Sequence, residues 1–351
     1  MRNTESSKQR RFPLWEGPAI CALLAVCTAT ALRADPVADF YRGRTLNVVS
    51  GFTPNGEYDS YMRLMGRHIG RFVPGQPQVV ASSMPGAGTM ILANHLYRIA
   101  PSDGTMVGMF AMQTAVEPFL KGKAAVFDPL KFQWIGSLTK DDLFCGVVPA
   151  PGVPSTFEEL LQKEALFGGA GPTSEIHKST AAVKNVLGAK IRLVSGYTGM
   201  PDVKLAMQRG EVNGVCGLGA AALRRQHGPE LASGRLKLIL QISGAPSAEF
   251  GKVPIVFDLV RNDEQRDLAS FFFRTLMLAK PIAVAPGVPG ERVAALRAAF
   301  EAVIKDSAFL AEAKSLNMII DPVSASALTA EFENLTKHPD TFFDKVRVAQ
   351  E

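Results

Sequence analysis

The sequence predicts an α/β protein of two lobes, and three observations predict it. Short β-rich runs alternate with longer stretches whose apolar residues recur at helical spacing. Pro/Gly-rich turns end a β-like run and start a helix at once around 53–59, 85–89, 171–177 and 197–202. At 351 residues the chain also exceeds one average domain and can bury two cores. Two of the turns precede an expected change of domain near residue 140, and two follow it. Two lobes that each aim such turns at one cleft form the architecture of a protein closing around a solute. The alternation itself favours a parallel sheet with crossover helices.

The N-terminus stands apart from this pattern. Lys8, Arg10 and Arg11 precede the uncharged run AICALLAVCTATAL at 19–32. That run is shorter than the roughly 18 to 20 residues a membrane span needs. Small residues at Ala29 to Ala31 and at Ala34 suit cleavage, so residues 1–34 read as a secretory signal peptide, with an uncleaved anchor as the alternative. Val26 stands before Cys27 where a lipobox wants a small residue, which argues against lipidation. The segment carries five Lys/Arg against two Asp/Glu, so three of the five net positive charges leave with it. No basic run with interleaved aromatics remains to suggest nucleic acid, and no second long apolar run suggests a membrane span. Cys21 and Cys27 leave as well. Cys145 and Cys216 remain in LFCGVV and GVCGLG, where an oxidising compartment permits a bridge and two buried thiols are the alternative.

The elements then follow in order. TLNVVSGF (45–52) reads as a strand, and SYMRLMGRHIGRFV (60–73) as a helix. QVVASSM, ILANHLYRIA and TMVGMFA continue as strand, helix and strand, with a Pro-Ser-Asp-Gly turn at 101–104. CGVVPAP is strand-like. TFEELLQKE is a short helix with Thr156 at the N-cap and Glu159 at the capping-box position. ALFGGAG is a strand, and HKSTAAVKNVLG a helix closed by Gly188. KIRLVSGY, DVKLAMQRG, EVNGVCG and RLKLILQIS read as strand, helix, strand and strand. Past an apolar stretch at 271–285, Pro289 sits near the start of a helix with Ala, Leu, Val and Phe on one face. AFLAEAKSL and ALTAEFENL are further helices.

Catalytic signatures are missing from the sequence. Ile91 occupies the position where a G-x-G-x-x-G fingerprint beginning at Gly86 needs its last glycine. No P-loop or G-x-S-x-G is present, and His68, His95, His177, His227 and His338 are scattered without metal-ligand spacing. No cofactor is expected. An alternative of another class is a secreted α/β enzyme acting on an organic acid, which would need a nucleophile, an acid/base pair or a metal in the cleft.

Several segments occur together in order: YRGRTLNVVSGFTPNGEYD, MPGAGT with ILANHLY behind it, APSDGTMVGMF, FDPLKFQWIGSL, GGAGPTSEIH, VSGYTGMPDVKLAMQRGEVNGVCG, GRLKLILQIS, VPIVFDL, APGVPGERVAALRAAFEAVIKDSAFLAEA and IDPVSAS. In this order they resemble the substrate-binding proteins of the tripartite tricarboxylate transporter family, the Bug-type extracytoplasmic solute receptors. The resemblance spans nearly the whole chain after residue 34. It implies a type II periplasmic binding protein fold, two Rossmann-like lobes joined by a two-strand hinge around a ligand cleft. Lobe 1 is expected at 35–140 and 241–351, and lobe 2 at 141–240. The implied ligand is a small organic carboxylate, the implied partner a two-component membrane permease, the implied location the periplasm, and the implied state a monomer. A sensory receptor for a membrane kinase would share the fold. By position, the resemblance places Phe52, Thr53, Asn55, Gly56, Tyr58 and Asp59 on a first ligand loop. It places Gly86, Gly88 and Thr89 on a second, Gln113 on a third, and Gly171, Thr173, Ser174, Tyr197, Thr198, Gly199 and Asp202 on lobe 2. The family's first loop commonly reads Pro-Gly-Gly. Asn55 replaces one glycine here, and tolerates the positive φ such a turn needs. Glu57 is expected to face solvent. Asp59 and Ser174 also suit helix caps, and His177 reads as structural.

Overall fold

The computed structural model describes residues 35–350 apart from 141, 172, 173, 248 and 279, so the signal-peptide reading of 1–34 and the role given to Thr173 lie outside the described residues. The strands, in chain order, are β1 (Thr45–Ser50), β2 (Gln78–Ser83), β3 (Met106–Met109), β4 (Gln133–Ser137), β5 (Leu143–Val147), β6 (Ala165–Gly169), β7 (Ile191–Ser195), β8 (Gly214–Gly219), β9 (Lys237–Ile242), β10 (Pro281–Val284) and β11 (Val323–Ser324). They form two sheets, in the orders β11-β4-β10-β3-β1-β2 and β7-β6-β8-β5-β9.

Both sheets are mixed, which corrects the expectation of a parallel sheet. β1 runs parallel to β2 and β3, with Thr45 opposite Gln78 and Asn47 opposite Met106. β6 likewise runs parallel to β7 and β8. In contrast, β10 is antiparallel to β3 and β4, and β5 is antiparallel to β8 and β9. The reversed strands are those at which the chain changes sheets. It leaves β4 for β5 across residues 138–142, and returns from β9 to β10 across 243–280. The short crossing is tied at both ends, by Lys140 N–H donating to Asp321 O (3.0 Å) and Ala220 N–H donating to Asp142 O (2.9 Å). The long one leaves the second sheet through a buried polar knot, where Gln241 Nε2 donates to Ser243 Oγ (2.6 Å) and Ala245 O (3.0 Å).

Helices fill the layers as their apolar stripes require. The helix Glu57–Ile69 buries Tyr61, Met62, Leu64, Met65 and Ile69 in a core shared with Leu46 and Val48 of β1. The apolar stretch before β10 proves to be the end of a helix, Asp263–Met277, capped by Asn262 Oδ1 accepting from Gln265 N–H at 2.9 Å. Where TFEELLQKE was expected to be helical, only Phe157–Leu160 forms an α-helix, with Thr156 Oγ1 accepting from Glu159 N–H at 3.2 Å. The carboxylate of Glu159 turns back to Ser155 N–H, at 2.7 Å.

One apolar cluster runs through both sheets. It includes Phe110 and Trp134 beside the first sheet, Phe167 of the second, and Phe271 and Phe343 from the helices Asp263–Met277 and Asp340–Ala349. Those two helices pack on Glu175–Leu187, which follows β6, and Asn185 Nδ2 donates to Ala349 O at 3.1 Å. Within the second sheet, Cys145 of β5 and Cys216 of β8 are paired in register and joined as a disulfide, both fully buried.

Candidate functional site

A cavity of about 680 Å³ lies where turns from the two sheets meet. The first sheet supplies Gly51 to Thr53 and Tyr58 after β1, Pro85 to Met90 after β2, and Ala111, Gln113, Thr114 and Glu117 after β3. The second supplies Ser174, Glu175 and Lys178, at the start of the helix that follows β6. Every wall named here comes from the segment beyond the C-terminal end of a strand, where backbone N–H groups and helix N-termini face outward.

The turn after β2 is held in an uncommon conformation. Gly86, Ala87, Gly88 and Thr89 all have positive φ, at 139°, 47°, 63° and 78°. Such conformations persist only where neighbours enforce them. Here Thr114 Oγ1 donates to Gly88 O (2.5 Å), and the hydroxyls of Thr89 and Thr114 lie 2.9 Å apart. Thr89 Oγ1 in turn accepts from Ala111 N–H at 3.0 Å, so the second turn is pinned to the segment after β3. Successive amides in a tight turn form a concave set of donors suited to an anion. Gln113 adds to this character, because its Nε2 is buried without a hydrogen-bond partner among the described residues.

The turn after β1 is organised by Asp59. Its carboxylate accepts from Asn55 N–H (2.9 Å), Arg63 Nε (2.6 Å) and Ser83 Oγ (2.6 Å). Asn55 is thereby fixed at φ 62°. Burial pushes the Asp59 carboxyl up, but the hydrogen bonds from Ser83, Arg63 and Asn55 outweigh it and hold the group below the usual carboxylate range. The same turn presents a stacked aromatic pair, Phe52 on Tyr58, with centroids 4.4 Å apart. The ammonium of the fully buried Lys280 lies over the Tyr58 ring at 4.3 Å and the Tyr61 ring at 4.6 Å.

Two polar contacts cross the cavity from one sheet's turns to the other's helix. Tyr58 OH donates to Glu175 Oε2 at 3.1 Å, and Lys178 Nζ donates to Glu117 Oε1 at 2.8 Å. Ser174 caps that helix, its Oγ accepting from His177 N–H at 3.2 Å, and it also faces the cavity.

Of the residues expected at a ligand site, Phe52, Thr53, Tyr58, Gly86, Gly88, Thr89, Gln113 and Ser174 come together on this cavity. Asn55, Gly56, Asp59, Gly171, Tyr197, Thr198, Gly199 and Asp202 are not among its lining. The first three shape the turn and the N-terminus of Glu57–Ile69. Tyr197 packs on the core of the second sheet. Asp202 accepts from both the N–H and the hydroxyl of Thr198, closing the turn on itself before the helix Met200–Gln208. His177 donates to or accepts from Ser195 Oγ at 3.0 Å, a structural contact. The sequence reading passed over Glu117, Glu175 and Lys178. Glu175 and Lys178 had a local signal, as charges in the first turn of a helix opened by a glycine-rich turn. Glu117 had none.

No protein-family model matches the chain. A Cupriavidus necator protein described as "UPF0065 protein in gbd 5'region" is 26% identical over 247 residues, which cover 68% of this chain and 72% of that one. Among solved structures, a TctC solute-binding protein from Polaromonas matches with a TM-score of 0.65 at 19% identity, over 88% of this chain and 99% of its own. The periplasmic binding protein BugD matches at 0.62 and 17%, over 88% and 98%. MatC from Rhodopseudomonas palustris, with bound malate, matches at 0.61 and 17%, over 86% and 99%. The fold is therefore that of periplasmic solute-binding proteins, two sheets with a cavity between their turns. The likeness to Bug-type receptors read from the motifs is borne out in the folds of TctC and BugD. These neighbours are a solute-binding protein and a periplasmic binding protein.

Proposed function

We propose that this chain is an exported solute receptor that captures a small organic carboxylate in the cavity between its two sheets and hands it to a two-component membrane permease. The observation that carries this reading is the 86–89 turn, four consecutive positive-φ residues locked by Thr89 and Thr114, which lines a cavity of ligand size. Lobe 1 in this reading comprises 35–140 and 241–351, and lobe 2 comprises 141–240. The short crossing at 138–142 and the return before β10 act as the hinge. The ligand's carboxylate meets turn amides of lobe 1. Closure then brings Ser174 and the first turn of Glu175–Leu187 against it and expels water. Phe52 and Tyr58 pack the remainder of the ligand. Malate in MatC, a neighbour with the same fold, supports the ligand class, and the periplasmic neighbours support the location.

A thermal-shift screen over organic acids tests the proposal. A ligand present at 100 times its Kd raises stability by about 2.7 kcal/mol, and Thr89→Val removes the hydroxyl that locks the donor turn and weakens the hit. If no carboxylate shifts the melting temperature, the proposed ligand class is wrong. Delivery to a permease is tested separately, by loss of uptake of the identified acid in a strain lacking the protein. Retained uptake with lost induction of a response would assign it to sensing instead.

A further inference from the structure

A second cavity, of about 400 Å³, is built on the second sheet and shares no lining residue with the first. Its walls are apolar: Met200 and Met207 from the helix Met200–Gln208, Val215 and Leu218 from β8, and Leu236 just before β9. Met200, Lys204 and Met207 recur at intervals of four and three, so one helix face carries all three. Val215 and Leu218 would point to opposite faces of a regular strand. The register of β5 on β8 shifts between Phe144 opposite Leu218 and Cys145 opposite Cys216, and Gly217, at φ 89°, is the extra residue of that bulge. Val215 and Leu218 therefore share the face that packs with Val203 and Met207, while Cys216 turns to the other.

Apolar packing does not account for the polar end of this cavity. His227 is only 5% exposed and lines the cavity, yet its ring has no hydrogen-bond partner among the described residues. A buried polar group without a partner is costly unless a ligand or water meets it. Burial first, and then the charge of Lys204, hold the imidazole below its ordinary range against the pull of Glu230, so at pH 7 it is neutral with one N–H to donate. Lys204 Nζ stands 3.6 Å from Glu230 Oε1, and these two charges offset one another. Arg235 also lines the cavity. Its Nε donates to Ser233 Oγ at 3.1 Å, and it pairs with no carboxylate among the described residues. The charged side chains of the lining thus leave one positive charge beside apolar walls. We infer that this cavity is a second binding site, and that its ligand is a medium-chain alkyl monocarboxylate. The carboxylate accepts from the His227 N–H and from the edge of the Arg235 guanidinium that Ser233 leaves open. The alkyl chain lies among Met200, Met207, Leu218 and Leu236, where methionine side chains adapt to an unbranched tail. A phosphate dianion would set two negative charges against one, with Glu230 beside them. This inference does not depend on the function proposed for the cavity between the sheets.

The test is a calorimetric titration of the protein with octanoate and decanoate, each matched to the alcohol of the same chain length. At least one acid is expected to bind ten times or more tightly than its alcohol. Arg235→Gln, at an exposed position, is expected to bring that ratio below about three, and Met200→Trp, which fills the cavity from its wall, to weaken the acid at least tenfold. The unliganded melting temperature serves as the folding control for both, and the Arg235 variant decides alone if the Met200 variant does not fold. Failure of both acids to bind overturns the inference. So does equal binding of acid and alcohol, or a ratio that Arg235→Gln leaves unchanged. Binding that survives Met200→Trp but is lost in Thr89→Val would place the acid between the two sheets, and overturns the second site while leaving the carboxylate receptor standing.

Discussion

Asp59 has no exposed side-chain surface and still carries a charge, because Asn55 N–H, Arg63 and Ser83 all donate to it. Asp59→Asn removes the charge from those three bonds. It is expected to lower stability by about 1.5 to 3 kcal/mol, read from urea unfolding at neutral pH. The pH dependence follows from the direction of its shift. The folded carboxyl titrates below the ordinary value of 3.8, so its contribution is complete above that value and is lost as pH falls through the lower folded value. The variant's stability is therefore expected to fall less than the wild type's over that acidic window. Asp59 was legible in the sequence as a residue of consequence, though not in its role. Ser83 lies 24 residues away on the next strand, and no local pattern joins them. Glu117 and Lys178, 61 residues apart, were invisible as a pair for the same reason.

Among the elements, the turns were the most legible and the strand directions the least. A glycine-rich break after an apolar run marks the end of a strand whatever lies beside it. Parallel and antiparallel strands share one side-chain period, so the reversal of β5 and β10 left no trace in the pattern. Gly51 shows how closely the turns depend on one another. A Cβ there would stand 2.9 Å from Thr89 Cβ and 3.3 Å from Met109 O, and neither is the free end of a flexible side chain. Gly51→Ala is expected to push the first two turns apart and weaken ligand binding at least tenfold, with the far-ultraviolet circular dichroism unchanged. In the second sheet, the Cys145–Cys216 bridge spans 71 residues of chain. Replacing both cysteines by Ala is expected to cost about 2 to 5 kcal/mol in a denaturant titration. The cysteines could be noticed in the sequence, but only the register of β5 on β8 brings them together.

In the molecule as a whole, Tyr58–Glu175 and Lys178–Glu117 hold the first sheet's turns against the second sheet's helix. Combining Tyr58→Phe with Lys178→Met is expected to raise the radius of gyration of the unliganded protein in small-angle X-ray scattering. An unchanged radius would mean that the packed helices, and not these two bonds, hold the two sheets together. The helices Asp263–Met277 and Asp340–Ala349 carry the apolar cluster from one sheet to the other without a break. Neither half can then melt while its neighbour stays intact, so calorimetry should record one endotherm whose van't Hoff and measured enthalpies agree. A fluorescent label on the outer face of either half would report occupancy of the cleft equally well, since heat must dismantle the two as a single body.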